Sequence, residues 1–334
     1  MHTRLAPLAA LATSALFLAA CSSGTTESTE SSPEASDTTG ATTAVAQQCL
    51  PVPGDDIVVL DDDMMLQNSD NVVPAVNADT AQDEAVLDAV NAVSAVLDTP
   101  TLIQLNKAVD IDRQTSAEVA AQFVTDQGLT APSQGSGSIV VGAANFSENI
   151  TVAEIYAAVL RDAGYDASVR TIGNRETYMP ALVSGEVNVI PEYAATAAEF
   201  INRSVNGADA EAVASGDIAE TKSALDGFTD FGVVFGEPSA AQDQNAFAVT
   251  TAFSEQYGVT SLSDLAANCE GISLGGPPEC PERTFCQLGL EDVYGIEVTD
   301  FSSLDAGGPL TKTALRQGEI AVGLVFSSDG ELAS

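Results

Sequence analysis

Residues able to carry covalent or metal chemistry are scarce in this chain. His2 is the only histidine among 334 residues, and it lies in an N-terminal leader. Without it there is no partner for a Ser-His or Cys-His nucleophile and no histidine for a zinc site. P-loop and dinucleotide-binding fingerprints are absent from the sequence. Asp61, Asp62 and Asp63 are adjacent, but they lack the alternating spacing and glycine of a calcium loop and read as a solvated turn. Neither catalysis, nor a metal, nor a cofactor is expected. The chemistry left is recognition, and Asn145-Phe146-Ser147 and Tyr193 stand just past two apolar runs, residues 139–143 and 187–190.

The elements around those runs explain their position. Val152, Ile155, Tyr156, Val159 and Leu160 recur at helical spacing until Gly164, so a strand over 139–143 is followed by a helix. Asn145 and Phe146 then sit at the carboxyl end of a strand, where α/β proteins hold ligands. A second helix around 178–183 and a strand over 187–190 bring Tyr193 to another strand end. Two strand ends facing one crevice make a binding site. Elsewhere the pattern predicts a strand over 57–60, helices within 85–97, 102–109 and 119–124, a strand over 231–235 and a helix over 310–316.

A chain of this length with 45% apolar residues suits two α/β lobes better than one core. Its formal charge of -37, with 11 basic residues, would repel nucleic-acid phosphates and anionic membrane surfaces. No nucleic-acid partner is expected, and a pull on cationic ligands is the functional remainder of a mostly solvated acidic surface. At the N-terminus, His2 and Arg4 precede an apolar run over 5–18, too short for a stable span, and then Leu18-Ala19-Ala20-Cys21. This resembles a bacterial lipoprotein signal: residues 1–20 are the signal peptide, Cys21 takes the lipid, and residues 21–54, Ser/Thr/Glu-rich to about Ala46, form a tether. Export and lipid anchoring to the outer face of the cytoplasmic membrane follow. Cys49, Cys269, Cys280 and Cys286 remain, an even set that reads as two disulfides with three connectivities open.

Gly-Ala-Ala-Asn-Phe-Ser-Glu from Gly142, Ala-Gly-Tyr from Ala163, Pro-Ala-Leu-Val-Ser-Gly-Glu-Val from Pro180 and Pro-Glu-Tyr-Ala-Ala-Thr from Pro191 occur in order. Together they resemble the substrate-binding proteins of glycine betaine, choline and other quaternary-ammonium ABC importers. The resemblance implies a two-lobed, periplasmic-binding-protein-like (type II) fold with a ligand cleft between lobes. It also implies no enzymatic activity, a small quaternary-ammonium solute as ligand, an ABC permease as partner, and a monomer. A ligand-binding sensor lipoprotein without a permease, or a receptor for carnitine or ergothioneine, is the alternative.

A quaternary ammonium cannot donate a hydrogen bond, so its capture needs aromatic faces, a carboxylate, or both. By resemblance the ligand-binding set is Asn145, Phe146, Tyr193, Thr196, Phe247, Arg283, Phe326 and Asp70. Asp70 stands where some relatives have an aromatic, and Ala144 where some have a lysine for the ligand carboxylate. Both changes favour a choline-like cation, whereas Arg283 matches an arginine able to bind a carboxylate in bidentate fashion. Arg175 and Tyr178 face either the cleft or solvent.

The family order also appears rearranged. Residues 55–129, with Asn71-Val72-Val73-Pro74, are similar to the family's C-terminal part but come first. A circular permutation accounts for this, with 130–138 as the linker between old ends. It implies a first lobe over 55–235 (55–129, linker, 139–235), a crossover and second lobe over 236–334, and a single inter-lobe peptide crossing near 236–245. Cys280 and Cys286 are close enough for a local bridge. That leaves Cys49 with Cys269, expected to restore a second link between lobes, with Ser334 close to residues 50–56.

Overall fold

A computed structural model describes residues 48–331. The leader, Cys21, most of the tether and Ser334 lie outside the described residues. Two five-stranded sheets, each flanked by helices, carry the cores. In chain order the elements begin with β1 (Ile57–Val59), β2 (Val72–Asn77), α1 (Glu84–Ser94), α2 (Thr99–Asp110), α3 (Ser116–Asp126), β3 (Ser138–Ala144), α4 (Ser147–Asp162) and β4 (Asp166–Gly173). They continue with α5 (Arg175–Val183), β5 (Val189–Tyr193), α6 (Ala194–Asn206), α7 (Ile218–Gly227), β6 (Val233–Phe235), β7 (Asn245–Thr250), α8 (Thr251–Tyr257) and α9 (Leu262–Asn268). The last are β8 (Ile272–Gly276), α10 (Gln287–Tyr294), β9 (Val298–Ser303), α11 (Pro309–Gln317) and β10 (Val322–Phe326).

Local chemistry sets many of these boundaries. Asp83, Asp98 and Thr115 accept the first free amides of α1, α2 and α3, and Thr115 does so in a capping box with Glu118. Gly164, at φ +100°, ends α4 in a conformation that disfavours other residues. The apolar faces of α1 and α4 pack on one side of the first sheet, as their helical spacing requires.

The two sheets have the same topology. The first runs β4-β3-β5-β2-β6 and the second β9-β8-β10-β7-β1. In each, three parallel strands are followed by one antiparallel strand and then by an edge strand that pairs antiparallel with it. β1 therefore holds in the second sheet the edge place that β6 holds in the first.

This corrects the expected lobe boundary. Residues 57–59 pair with β7 and belong to the second lobe, so the first lobe does not begin at residue 55. The chain crosses between sheets twice, over 60–71 and over 236–244. The crossings run antiparallel, joined by an Asn71–Gln242 bridge and by the Asp243 amide donating to the Asp70 carbonyl at 3.0 Å. After β10 a third segment returns to α2 of the first lobe. Gly330 lies so close there that a Cβ would meet the Lys107 backbone at 2.7 Å. A hinge of three segments replaces the single flexible crossover read from the sequence.

Both expected disulfides are formed, Cys49–Cys269 and Cys280–Cys286. The first does not repair the hinge, because Cys49 and Cys269 are buried in one second-lobe core with Leu60, Phe247 and Leu265. It fastens the entering chain to the end of α9. Asp62 is likewise more than a solvated turn: its carboxylate accepts from the amides of Leu66 and Gln67 at 2.8 and 2.7 Å and from the Tyr294 hydroxyl.

Candidate functional site

Two helices start at strand ends of the first sheet, after β3 and after β5, and each gives its N-cap position to an aromatic residue. Phe146 precedes α4 and Tyr193 precedes α6, and neither supplies a side-chain cap. An aromatic here forgoes the roughly 1 kcal/mol that a Ser or Asp cap contributes. For α6 the cap comes from elsewhere: Asp70, on the first crossing, accepts from the amides of Ala195 and Thr196 at 2.8 and 3.1 Å. Buried Asn149 fixes the other turn, accepting from the Ala144 amide at 2.8 Å and donating to the Pro191 carbonyl at 2.9 Å. The two aromatic residues are thereby held to one another through the backbone.

The result is a cleft of about 580 Å³ between the lobes. Asp70, Asn145, Phe146, Tyr193 and Thr196 line it from the first lobe side, and Arg283 and Phe326 from the second. Phe146 stacks on Tyr193 with ring centroids 6.0 Å apart and lies 5.3 Å from Phe326. Rings this close form one continuous wall, and a cation must lie against it rather than between its members. Phe247 is not part of the lining. Two residues further along β7 than the lining Asn245, it sits one pleat deeper, in the core with Leu60 and Leu324.

Acidic groups crowd the same floor. Asp70, Asp243, Glu148 and Glu192 are all buried. Burial pushes Asp70 up to about 7, against the pull of Arg175 and of the Thr196 amide. Burial, and then the charge of Glu148, raises Asp243 well above the carboxylate range; burial also raises Glu148. Tyr193, held protonated by burial and by the Glu148 charge, donates to Glu148 Oε1 at 2.7 Å.

The cations of the cleft are already engaged. Arg175, which the sequence left between cleft and solvent, is buried; it pairs with Glu192 at 2.8 Å and donates to Thr196 Oγ1 at 2.7 Å. Tyr178 is buried on the same wall. Arg283 reaches across to Glu176 of α5 at 2.9 Å and to Glu279 at 3.4 Å, while Arg203 donates to Thr284 Oγ1 at 2.8 Å. These contacts tie the cysteine-closed loop of the second lobe to the first. The sequence reading missed Glu148, Asp243, Glu192 and Phe285. Glu192 could have been found, since a carboxylate inside the apolar strand β5 demands a buried basic partner. Among the described residues no cluster suited to a metal ion is present.

A family model described as the substrate binding domain of ABC-type glycine betaine transport system matches residues 38–126 and 137–334. Among solved structures, the chain is similar to a glycine betaine/carnitine/choline ABC transporter protein at 17% identity, over 60% of this chain and 71% of that one, with a TM-score of 0.39. It is also similar to the periplasmic murein tripeptide-binding protein MppA in an unliganded open form, at 9% identity over 55% and 44% of the two chains, with a TM-score of 0.23.

Proposed function

The chain belongs to the family of substrate-binding domains of ABC-type glycine betaine transport systems, and from that premise we propose that it captures a choline-like monocation for an ABC importer. Its fold is that of a type II periplasmic binding protein, and it is a non-catalytic solute-binding receptor. The observation that carries the ligand reading is the charge layout of the cleft: an aromatic wall of Phe146, Tyr193 and Phe326 faces Asp70 and Asp243, while Arg175 and Arg283 are paired to protein carboxylates. A trimethylammonium head is drawn to ring faces, at about 0.5–2 kcal/mol per ring, and to an unpaired carboxylate. A ligand carboxylate would have to displace Glu176 from Arg283. Closure of the lobes on the solute presents the surface that the permease reads, and ATP hydrolysed elsewhere drives transport. Lipid on Cys21 holds the receptor at the outer face of the membrane. Among the described residues no helix is long and apolar enough to cross a membrane.

Equilibrium binding of choline, glycine betaine, carnitine and ergothioneine is the test. Choline is expected to bind at least tenfold more tightly than glycine betaine. A preference for glycine betaine would show that Arg283 leaves Glu176 for the ligand and would overturn the monocation reading.

A circular permutation remains our reading of the chain order. It is supported by the family match, which breaks at 127–136 and so overlaps the 130–138 linker. Glu331 and Asp55 both meet Arg316, at 2.7 Å from its Nη2 and 3.0 Å from its Nε, so the opposite junction needs only a short loop. A chain opened within 130–138 and rejoined from Glu331 to Asp55 is expected to fold and to keep the ligand affinity. Loss of cooperative unfolding would contradict the permutation.

A further inference from the structure

Beneath the aromatic wall, the Ser328 hydroxyl lies 2.5 Å from Glu148 Oε2 and 2.8 Å from Asp243 Oδ1. Ser328 has one hydroxyl hydrogen, and an ionised carboxylate only accepts. Both contacts can be hydrogen bonds only if one carboxyl holds a proton of its own. Glu148 is the better anion, because Tyr193 and Asn106 donate to it at 2.7 and 2.6 Å. Among the described residues, the donors to the Asp243 carboxyl are the Ser328 hydroxyl and amide, the latter at 3.4 Å. The proton therefore belongs on Asp243, whose side chain also faces the cleft.

Among the described residues, the nearby cations are already paired with other carboxylates. Asp70 faces Asp243 from the first crossing, and Tyr193 from the start of α6. Arg175 is bound to Glu192, and Lys312, beyond Ser328, is bound to Asp329. Two buried like charges bridged by one hydroxyl disfavour full ionisation, in agreement with the upward shifts of both groups.

We propose that the cleft exchanges a proton for its ligand: entry of a monocation beside Asp243 ionises that carboxyl, and one proton leaves to solvent. The exchange balances, since one positive charge enters and one departs while no bond of the ligand changes. A zwitterion, which brings its own carboxylate, has no net charge to exchange and releases no proton. This inference rests on the monocation reading above. It makes the receptor sensitive to acidity: each ligand bound displaces a proton below the pKa of the pair and none above it. Affinity for a monocation then rises with pH, by up to about tenfold per unit, from the ordinary carboxylate range to the raised pKa, and is flat beyond.

The test is calorimetric titration of the whole chain with choline chloride in two buffers of different ionisation enthalpy, with carboxyl-carbon NMR of the ligand-free protein alongside. About one proton released per choline is expected at mildly acidic pH, none with glycine betaine. In Asp243→Asn the release should fall by its larger part, the remainder coming from Asp70, which is itself raised to about 7. NMR should show Asp243 titrating well above ordinary aspartates before any ligand is added. Choline binding without proton release overturns the exchange while leaving the receptor reading intact. An Asp243 that titrates normally overturns it whatever the ligand. No binding of any quaternary amine, with Asp243 still raised, would sink the monocation reading and the exchange with it, leaving only the buried proton.

Discussion

Arg175→Met is expected to destabilise the first lobe by about 3–5 kcal/mol, the usual cost of leaving a buried carboxylate without its partner. Glu192 is fully buried within β5 and takes a bidentate pair of hydrogen bonds from the guanidinium. The same group donates to Thr196 and lies beside Asp70, so its removal strands two carboxylates at the start of α6. Denaturant unfolding, with the disulfides intact, measures the loss as a lower midpoint. Replacing both members, Arg175→Met with Glu192→Leu, should cost clearly less than the single change, because the desolvated charge is gone as well. If the double variant is as unstable as the single one, the pair acts through shape and not through charge.

Asp70→Asn is expected to weaken choline binding by about 2 kcal/mol, roughly thirtyfold. Asparagine keeps an acceptor for the Ala195 amide, so α6 stays capped and the loss reports charge. The group is raised to about 7 in the ligand-free protein, so the folded state holds a proton there that the unfolded chain releases near 3.8. Stability from this site is therefore present at acid pH and lost as pH rises towards 7, a slope that Asp70→Asn should remove. Calorimetry of both proteins with choline, and thermal unfolding across that range, check the two statements. If affinity is unchanged in Asp70→Asn but abolished in Tyr193→Ala, the aromatic wall acts alone.

Much of this was legible in residue order. Helical spacing from Val152 to Leu160 and the stop at Gly164 gave α4, and the strand-end positions of Phe146 and Tyr193 gave the first-lobe wall of the cleft. β1 was misplaced because three apolar residues in a half-buried edge strand carry no alternation to say which sheet they join. β4 escaped notice for a related reason: an edge strand with Asp166, Ser168 and Arg170 exposed or half-exposed shows no apolar run. Phe247 could not be told from a cleft residue, since alternation gives the face of a strand but not the depth along it. Glu148 and Asp243 were unreadable because Asp243 and Ser328, 85 positions apart, meet only through the hinge.

The measurement closest to the central claim compares choline with its neutral carbon isostere, in which carbon replaces the quaternary nitrogen at nearly the same size. Shape and apolar burial are then equal, and only the charge differs. The cleft described here, with an aromatic wall and carboxylates lacking a free cation, predicts choline binding at least a hundredfold tighter, about 3 kcal/mol. Equal affinity for the two would contradict it, and would mean that the pocket selects a shape rather than a cation.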